Sequence, residues 1–380
     1  MKIKHILSIF IATLSISLVP AATAKSDNSD FYTFDFERKS YSMKDVEQQF
    51  FTTFPHDDPT AGDVIYDRKL WKHDNMIELK NQDGLFMYIR SRDDVPMFDS
   101  VRLTSKAYYN IDNNETILFV FKGKLPSANG LWPAWWLNGG QEPTWLYAGE
   151  GKLDTDKHLD SYSGVGHFYN TPSPVNPTDW PAAGEIDIIE NINGHKTIHN
   201  TLHTCPQMFD GQWNDSTVAI NCANANSSDP NPGCSGTPYE IEKPEGTFAI
   251  AWQKDTIKYY YWNSKDDVRK EGGPLSENPD LAMWDKQSLK NTVKLLPGSQ
   301  SCDASVHEPW QCKSCKGSED TGFVNMKVIF NITTCGKWAG LQFDDTPEAL
   351  ANCKAHILGE GKSDIDSQSI KIEYLSVKKL

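Results

Sequence analysis

Apolar positions along this chain recur in short runs, not at helical spacing. Val64-Ile65-Tyr66, Leu85-Phe86-Met87-Tyr88-Ile89-Arg90, Val101-Arg102-Leu103-Thr104 and Thr116-Ile117-Leu118-Phe119-Val120-Phe121 are each β-branched or aromatic and bounded by Asp, Asn or Gly. Residues 197–204 repeat the pattern, and residues 248–252 and 257–262 predict a hairpin around Lys254-Asp255. Residues 324–334, 335–340 and 370–377 complete the set. Such runs predict strands, and no long stretch repeats every 3.6 residues. Many short strands between turn residues predict an all-β sandwich. Two long polar segments, about 139–179 and 263–322, interrupt the pattern without a convincing strand. Loops of that length in a compact domain are usually functional or mobile. With no repeats and no Ser/Pro linker, residues 25–380 read as a single domain.

The first 24 residues stand apart. Lys2 and Lys4 precede an apolar run over residues 6–19, and Ala22-Thr23-Ala24 offers a small-residue cleavage site. This is the layout of a secretory signal peptide; Ser8, Thr13, Ser15 and Ser17 dilute it too far for a membrane span. The expected mature protein begins near Lys25, is secreted to the extracellular space or periplasm, and has no membrane partner. The whole chain carries a net charge of −14, or −16 once two leader lysines are gone. A surface of that sign argues against nucleic acid and anionic polymers, which need basic grooves. Eight cysteines (Cys205, Cys222, Cys234, Cys302, Cys312, Cys315, Cys335, Cys353) in an exported chain favour disulfides, four at most. Cys312-Lys313-Ser314-Cys315 has no matching second pair, so no metal site is assigned. Asn114, Asn214, Asn226 and Asn331 lie in N-x-S/T sequons.

The candidate chemistry lies in Gly184-Glu185-Ile186-Asp187-Ile188-Ile189-Glu190. Isoleucine fills every gap between three carboxylates, which predicts a strand with Glu185 and Asp187 on one face. Strict alternation sends Glu190 to the other face. A one-residue β-bulge near Ile188-Ile189 brings it back, and bulges occur beside active sites. Acidic residues alternating with Ile also describe a sheet with one wet face. Three like charges on one strand repel, however, and an ordinary surface strand intersperses Lys or Thr. After a turn at Asn193-Gly194, residues 197–204 return as an antiparallel neighbour with His199, Thr201 and His203 on one face. Upstream, Leu131-Trp132-Pro133-Ala134-Trp135-Trp136 places Trp132 and Trp136 on one face and Trp135 on the other, the core side.

Several motifs coincide in order: Asp58-Pro59-Thr60-Ala61-Gly62, Asp99-Ser100-Val101-Arg102-Leu103, the Trp132–Trp136 run, Trp180-Pro181, the acidic strand, Thr201-Leu202-His203-Thr204 and Cys335-Gly336-Lys337-Trp338-Ala339-Gly340. Together they resemble glycoside hydrolase family 16, in its fungal-type endo-1,3(4)-β-glucanase (laminarinase) branch, from about Phe50 to the C-terminus. The resemblance implies a concave β-jelly-roll sandwich of two antiparallel sheets with long loop insertions. It implies a secreted, monomeric endo-β-glucanase that hydrolyses β-1,3 or mixed β-1,3-1,4 glucans with retention. Glu185 matches the nucleophile, Glu190 the acid/base, and Asp187 the residue between them. Trp136, Trp180, Trp338 and Trp132 match groove tryptophans, Arg102 a contact to sugar hydroxyls, and His203 a histidine near the acid/base. Lys337 departs from the Asp usual in this branch. No cofactor is required; many relatives hold a structural calcium on the convex face, which the resemblance allows without locating its ligands here. A transglycosylase, a hydrolase of another polysaccharide, or an inactive glucan-binding lectin stands as the alternative.

Overall fold

A computed structural model describes residues 31–52, 56–58, 60–66, 76–112, 114–139, 184–204, 209–214, 220–221, 233–297, 323 and 325–380. The expected signal peptide, Trp180 and residues 140–179 lie outside them.

Among the described residues, strands assemble into two large antiparallel sheets and a small third one. The eight-stranded sheet runs Cys234–Ser235, Thr197–His203, Glu185–Glu190, Leu131–Asn138, Lys327–Thr334, Arg102–Ser105, Phe50–Thr52, with Tyr239–Glu240 also pairing onto Thr197–His203. The ten-stranded sheet is centred on Glu245–Gln253, Ile117–Lys124 and Ser369–Lys379. Alternation along each strand sends every second side chain between these two layers. There Phe121 of the larger sheet meets Trp135 and Phe330 of the smaller one at ring-centroid distances of 5.5 and 5.3 Å. Trp135 is 1% exposed, as its place on the face opposite Trp132 and Trp136 predicts. The expected hairpin forms between Glu245–Gln253 and Thr256–Asn263.

Two expectations are corrected. The polar pattern of 263–322 predicts no strand, yet Leu281–Gln287 is a helix capped by the Asp280 carboxylate, and Leu289–Pro297 is a strand of the larger sheet. Its inward side chains Asn291, Val293 and Leu295 are buried while Lys290 and Lys294 face out. The alternation was present, but its polar half masked it. Residues 335–340 were expected to join the sheets; instead Gly336–Gly340 is a single π-helical turn. Cys335 and Gly336 have φ of 49° and 65°, so the strand leaves the sheet here. A Cβ on Gly336 would lie 2.8 Å from the Thr60 carbonyl oxygen, which excludes any larger residue at this turn. Short helices at Met43–Gln49, Ala349–Leu358 and Lys362–Asp366 complete the frame.

Candidate active site

The outer face of the eight-stranded sheet carries the acidic strand at its centre. Glu185, Ile186 and Asp187 pair with His203, Leu202 and Thr201, but Glu190 pairs with His199. On the other side Asp187 pairs with Trp136 and Ile189 with Trp135. Ile188 is therefore the extra residue, and the bulge sits where the sequence requires it. The kink restores Glu190 to the face of Glu185 and Asp187 and leaves Ile186, Ile188 and Ile189 buried in the core. Side chains then line up in rows across the sheet: His203, Glu185, Asn138, Lys327; Thr201, Asp187, Trp136, Ile329, Thr104; His199, Glu190, Ala134, Asn331, Arg102.

The three carboxyls differ by surroundings, not by type. Asp187 is 3% exposed and hydrogen-bonded to Glu185; burial first, then the charge of Glu190, holds its carboxyl well above the usual range. Burial also pushes the Glu190 carboxyl up to about 7, and the charge of Glu185 adds to the rise. Part of Glu190 still meets solvent, but it lies deep between indole, imidazole and threonine neighbours. His203, Trp132 and Thr201 oppose the shift; the Trp132 indole N–H donates to the Glu190 carboxylate at 3.2 Å. A carboxyl raised in this way holds a proton nearer neutral pH than a free one, which suits Glu190 to giving one up.

His203 lies opposite Glu185, with Nε2 3.4 Å from Asp187 Oδ2 and 3.9 Å from Glu185 Oε1. It stands across from Glu185, while His199 takes the place opposite Glu190; His203 still lies close enough to Glu190 to lower that carboxyl. Glu185, Asp187 and His203 are also the group among the described residues whose donor atoms, all within 4.8 Å of one another, could hold a metal ion. The hydrogen bond between Asp187 and Glu185 accounts for the closeness of those two.

The aromatic residues divide. Trp338, on the π-turn, meets Trp132 edge-on at 5.2 Å and His199 at 5.0 Å, so it stands at the Glu190 end of this face. Trp136 is only 7% exposed. Arg102 covers one face of its ring at 4.9 Å, and its N–H donates to Asn331 Oδ1 at 2.8 Å. It forms groove floor, not an open platform. Lys337 is exposed beside Trp338. The sequence reading overlooked Asn331, whose amide also donates to the Tyr66 hydroxyl at 2.9 Å. A polar residue inside Val328-Ile329-Phe330-Asn331-Ile332 was the available signal, noticed only as a sequon. Modification there would block the groove floor. Also overlooked was buried Asn200, whose amide donates to the bulge carbonyl of Ile188 at 2.7 Å.

The turn bearing Trp338 is fastened from several sides. A disulfide joins Cys335 to Cys353, the Asn193 amide donates to the Ala339 and Gln342 carbonyls, and the Lys337 N–H donates to the Thr60 carbonyl. Cys234 is disulfide-bonded too; the remaining five cysteines lie outside the described residues.

The sequence model of the XgeA-like catalytic GH16 domain matches residues 51–155 and 174–377. A probable endo-1,3(4)-β-glucanase of Aspergillus flavus is 25% identical over 312 residues, 78% of this chain and 36% of that protein. The endo-1,3(4)-β-glucanase xgeA of Emericella nidulans is 23% identical over 332 residues, 81% of this chain and 42% of that one. The chain thus spans about two-fifths of the length of these relatives. Among solved structures, an elongating GH family 16 β-1,3-glucosyltransferase matches with TM-score 0.57 at 21% identity, covering 91% of this chain and 98% of that one. Laminarinase 16A from Phanerochaete chrysosporium, with β-glucans in donor and acceptor sites, matches with TM-score 0.55 at 20% identity, covering 91% and 99%. Both share the fold.

Proposed function

The chain belongs to glycoside hydrolase family 16, and from that premise we propose that it is a secreted endo-β-glucanase cleaving β-1,3 or mixed β-1,3-1,4 glucans with retention. One observation carries the reading: a single-residue bulge puts Glu185 and Glu190 on one face, with Asp187 hydrogen-bonded to the first and the second raised to about 7. A retaining pair stands about 5–5.5 Å apart, too close for a water between the carboxyls. Two long glutamates leaning over a short aspartate suit that separation.

In this mechanism Glu190, raised to about 7 so that a share of it keeps its proton at neutral pH, gives that proton to the glycosidic oxygen as the bond to the leaving chain breaks. Glu185 attacks the anomeric carbon and forms a glycosyl ester. Glu190, now a carboxylate, takes a proton from water, which attacks the same carbon and frees Glu185. Asp187 stabilises Glu185 as a carboxylate through their hydrogen bond and so eases its departure from the ester. Trp338 and Trp132 offer apolar surface to glucose rings above the floor that Trp136 forms, Arg102 and His203 contact hydroxyls, and Trp180 is assigned to the groove on sequence alone. The two carboxylates supply the chemistry without a cofactor, and the protein acts as a monomer that meets neutral polysaccharide.

Incubation with laminarin and with barley β-glucan tests this. Oligosaccharides should appear whose first-formed anomer is β by NMR, and Glu185→Gln should abolish their release. Full activity in that variant, or an α-anomer formed first, would refute the assignment. Interception of the glycosyl ester by a sugar hydroxyl gives transfer instead, read as products longer than the starting chains.

A further inference from the structure

We infer that Asn200 is a positioning residue for the acid/base, the device that holds the bulge and so keeps Glu190 in the groove. The inference rests on the proposed retaining reaction and adds a residue to it. Asn200 lies opposite the bulge, between Thr201, paired with Asp187, and His199, paired with Glu190. Its side chain therefore points between the sheets, where it is 0% exposed. There the carboxamide donates to the carbonyl of Ile188, the extra residue, at 2.7 Å. A bulge leaves its extra residue outside the ladder, and a buried carbonyl demands a donor; Asn200 supplies one at this bulge.

The support continues across the core. The Asn291 amide, on Leu289–Pro297 of the larger sheet, donates to Asn200 Oδ1 at 2.8 Å and to the Thr237 carbonyl at 2.9 Å. Asn291 is also 0% exposed, and its Oδ1 accepts from Asn214 at 3.0 Å. Its own strand is irregular at the same level: Tyr259 pairs with Asn291 but Tyr260 with Leu289, leaving Lys290 as an extra residue. Two bulges, one per sheet, are thus tied together by two buried asparagines. An apolar core would serve stability here. A chain of paired amides aimed at one carbonyl serves geometry, because a register slip of one residue turns a strand's side chains to the other face.

The test compares two substrates. With Asn200→Leu, which keeps the volume and removes the donor, kcat on laminarin should fall about 10- to 100-fold with KM within about twofold. With a dinitrophenyl β-glucan oligoside, whose leaving group needs no proton, the first-turnover burst should stay within about threefold of wild type. Asn291→Ala, which leaves Asn200 in place but unsupported, should show the same split to a smaller degree, and decides the matter if Asn200→Leu does not fold by near-ultraviolet circular dichroism. Unchanged kcat on laminarin, or a burst slowed as much as laminarin turnover, overturns the inference while the hydrolase reading stands. A wild-type protein inert on both glucans sinks that reading and this inference with it.

Discussion

At the scale of single residues, the acids are distinguished by what surrounds them. The Trp132 N–H holds charge on Glu190, since its hydrogen bond opposes the upward shift. Trp132→Phe keeps the ring and removes the donor. The alkaline limb of kcat/KM, set near pH 7 by loss of the Glu190 proton, should then move up by about half to one unit. A pH–rate profile checks it, and a limb that stays or moves down contradicts the assignment. The same proton bears on stability. The folded value of about 7 exceeds the ordinary 4.5, so between them the native state holds a proton that the unfolded chain has released. This stabilisation is whole below about pH 4.5 and is lost as pH rises through about 7. Glu190→Gln, which cannot ionise, should therefore melt a few degrees above wild type at pH 8 and alongside it at pH 4. Calorimetry at the two values reads the difference. Glu185, Asp187 and Glu190 were legible because isoleucine spacing marks a strand and three acids on one strand need a reason. Asn200 and Asn331 were not. A polar residue within an apolar strand, as at Asn331, marks a position of interest, but its role stays hidden until its neighbours across the sheet are known.

At the scale of elements, the π-turn at Gly336–Gly340 links the disulfide to the groove. It ties Cys335–Cys353 to Trp338, which packs on Trp132, which in turn bonds Glu190. Cys353→Ser should cost about 2–4 kcal/mol in urea unfolding. It should also raise KM for laminarin, because Trp338 would lose its fixed place over the groove. A variant that loses stability but keeps both KM and the pH limb would show the turn to be a staple only. The motif Cys335-Gly336-Lys337-Trp338-Ala339-Gly340 located the tryptophan, but not the turn. Positive φ at two successive residues is imposed by contacts with Thr60, Gly62 and Gly130, far away in sequence. The helix Leu281–Gln287 and strand Leu289–Pro297 are hidden for another reason: the helix is short, and in the strand exposed Lys290 and Lys294 alternate with the buried positions.

At the scale of the whole molecule, two sheets share one apolar interior, and the groove is the outer face of the smaller sheet. Trp135 sits where the sheets meet, so Trp135→Ala should cost about 3–5 kcal/mol and lower the melting temperature without changing the pH limb. No cofactor enters the proposed reaction, so dialysis against a chelator should leave kcat on laminarin unchanged. A loss of activity restored by calcium would show that the protein needs an ion. The sequence by itself determined the strand periodicity, the identity of the three acids and the family, since these rest on spacing and residue type along the chain. The tertiary structure alone decided how far burial raises Asp187 and Glu190, which side chain meets the bulge carbonyl, and which tryptophan is floor and which is wall. Those properties come from burial and from partners on other strands, and no linear spacing encodes them.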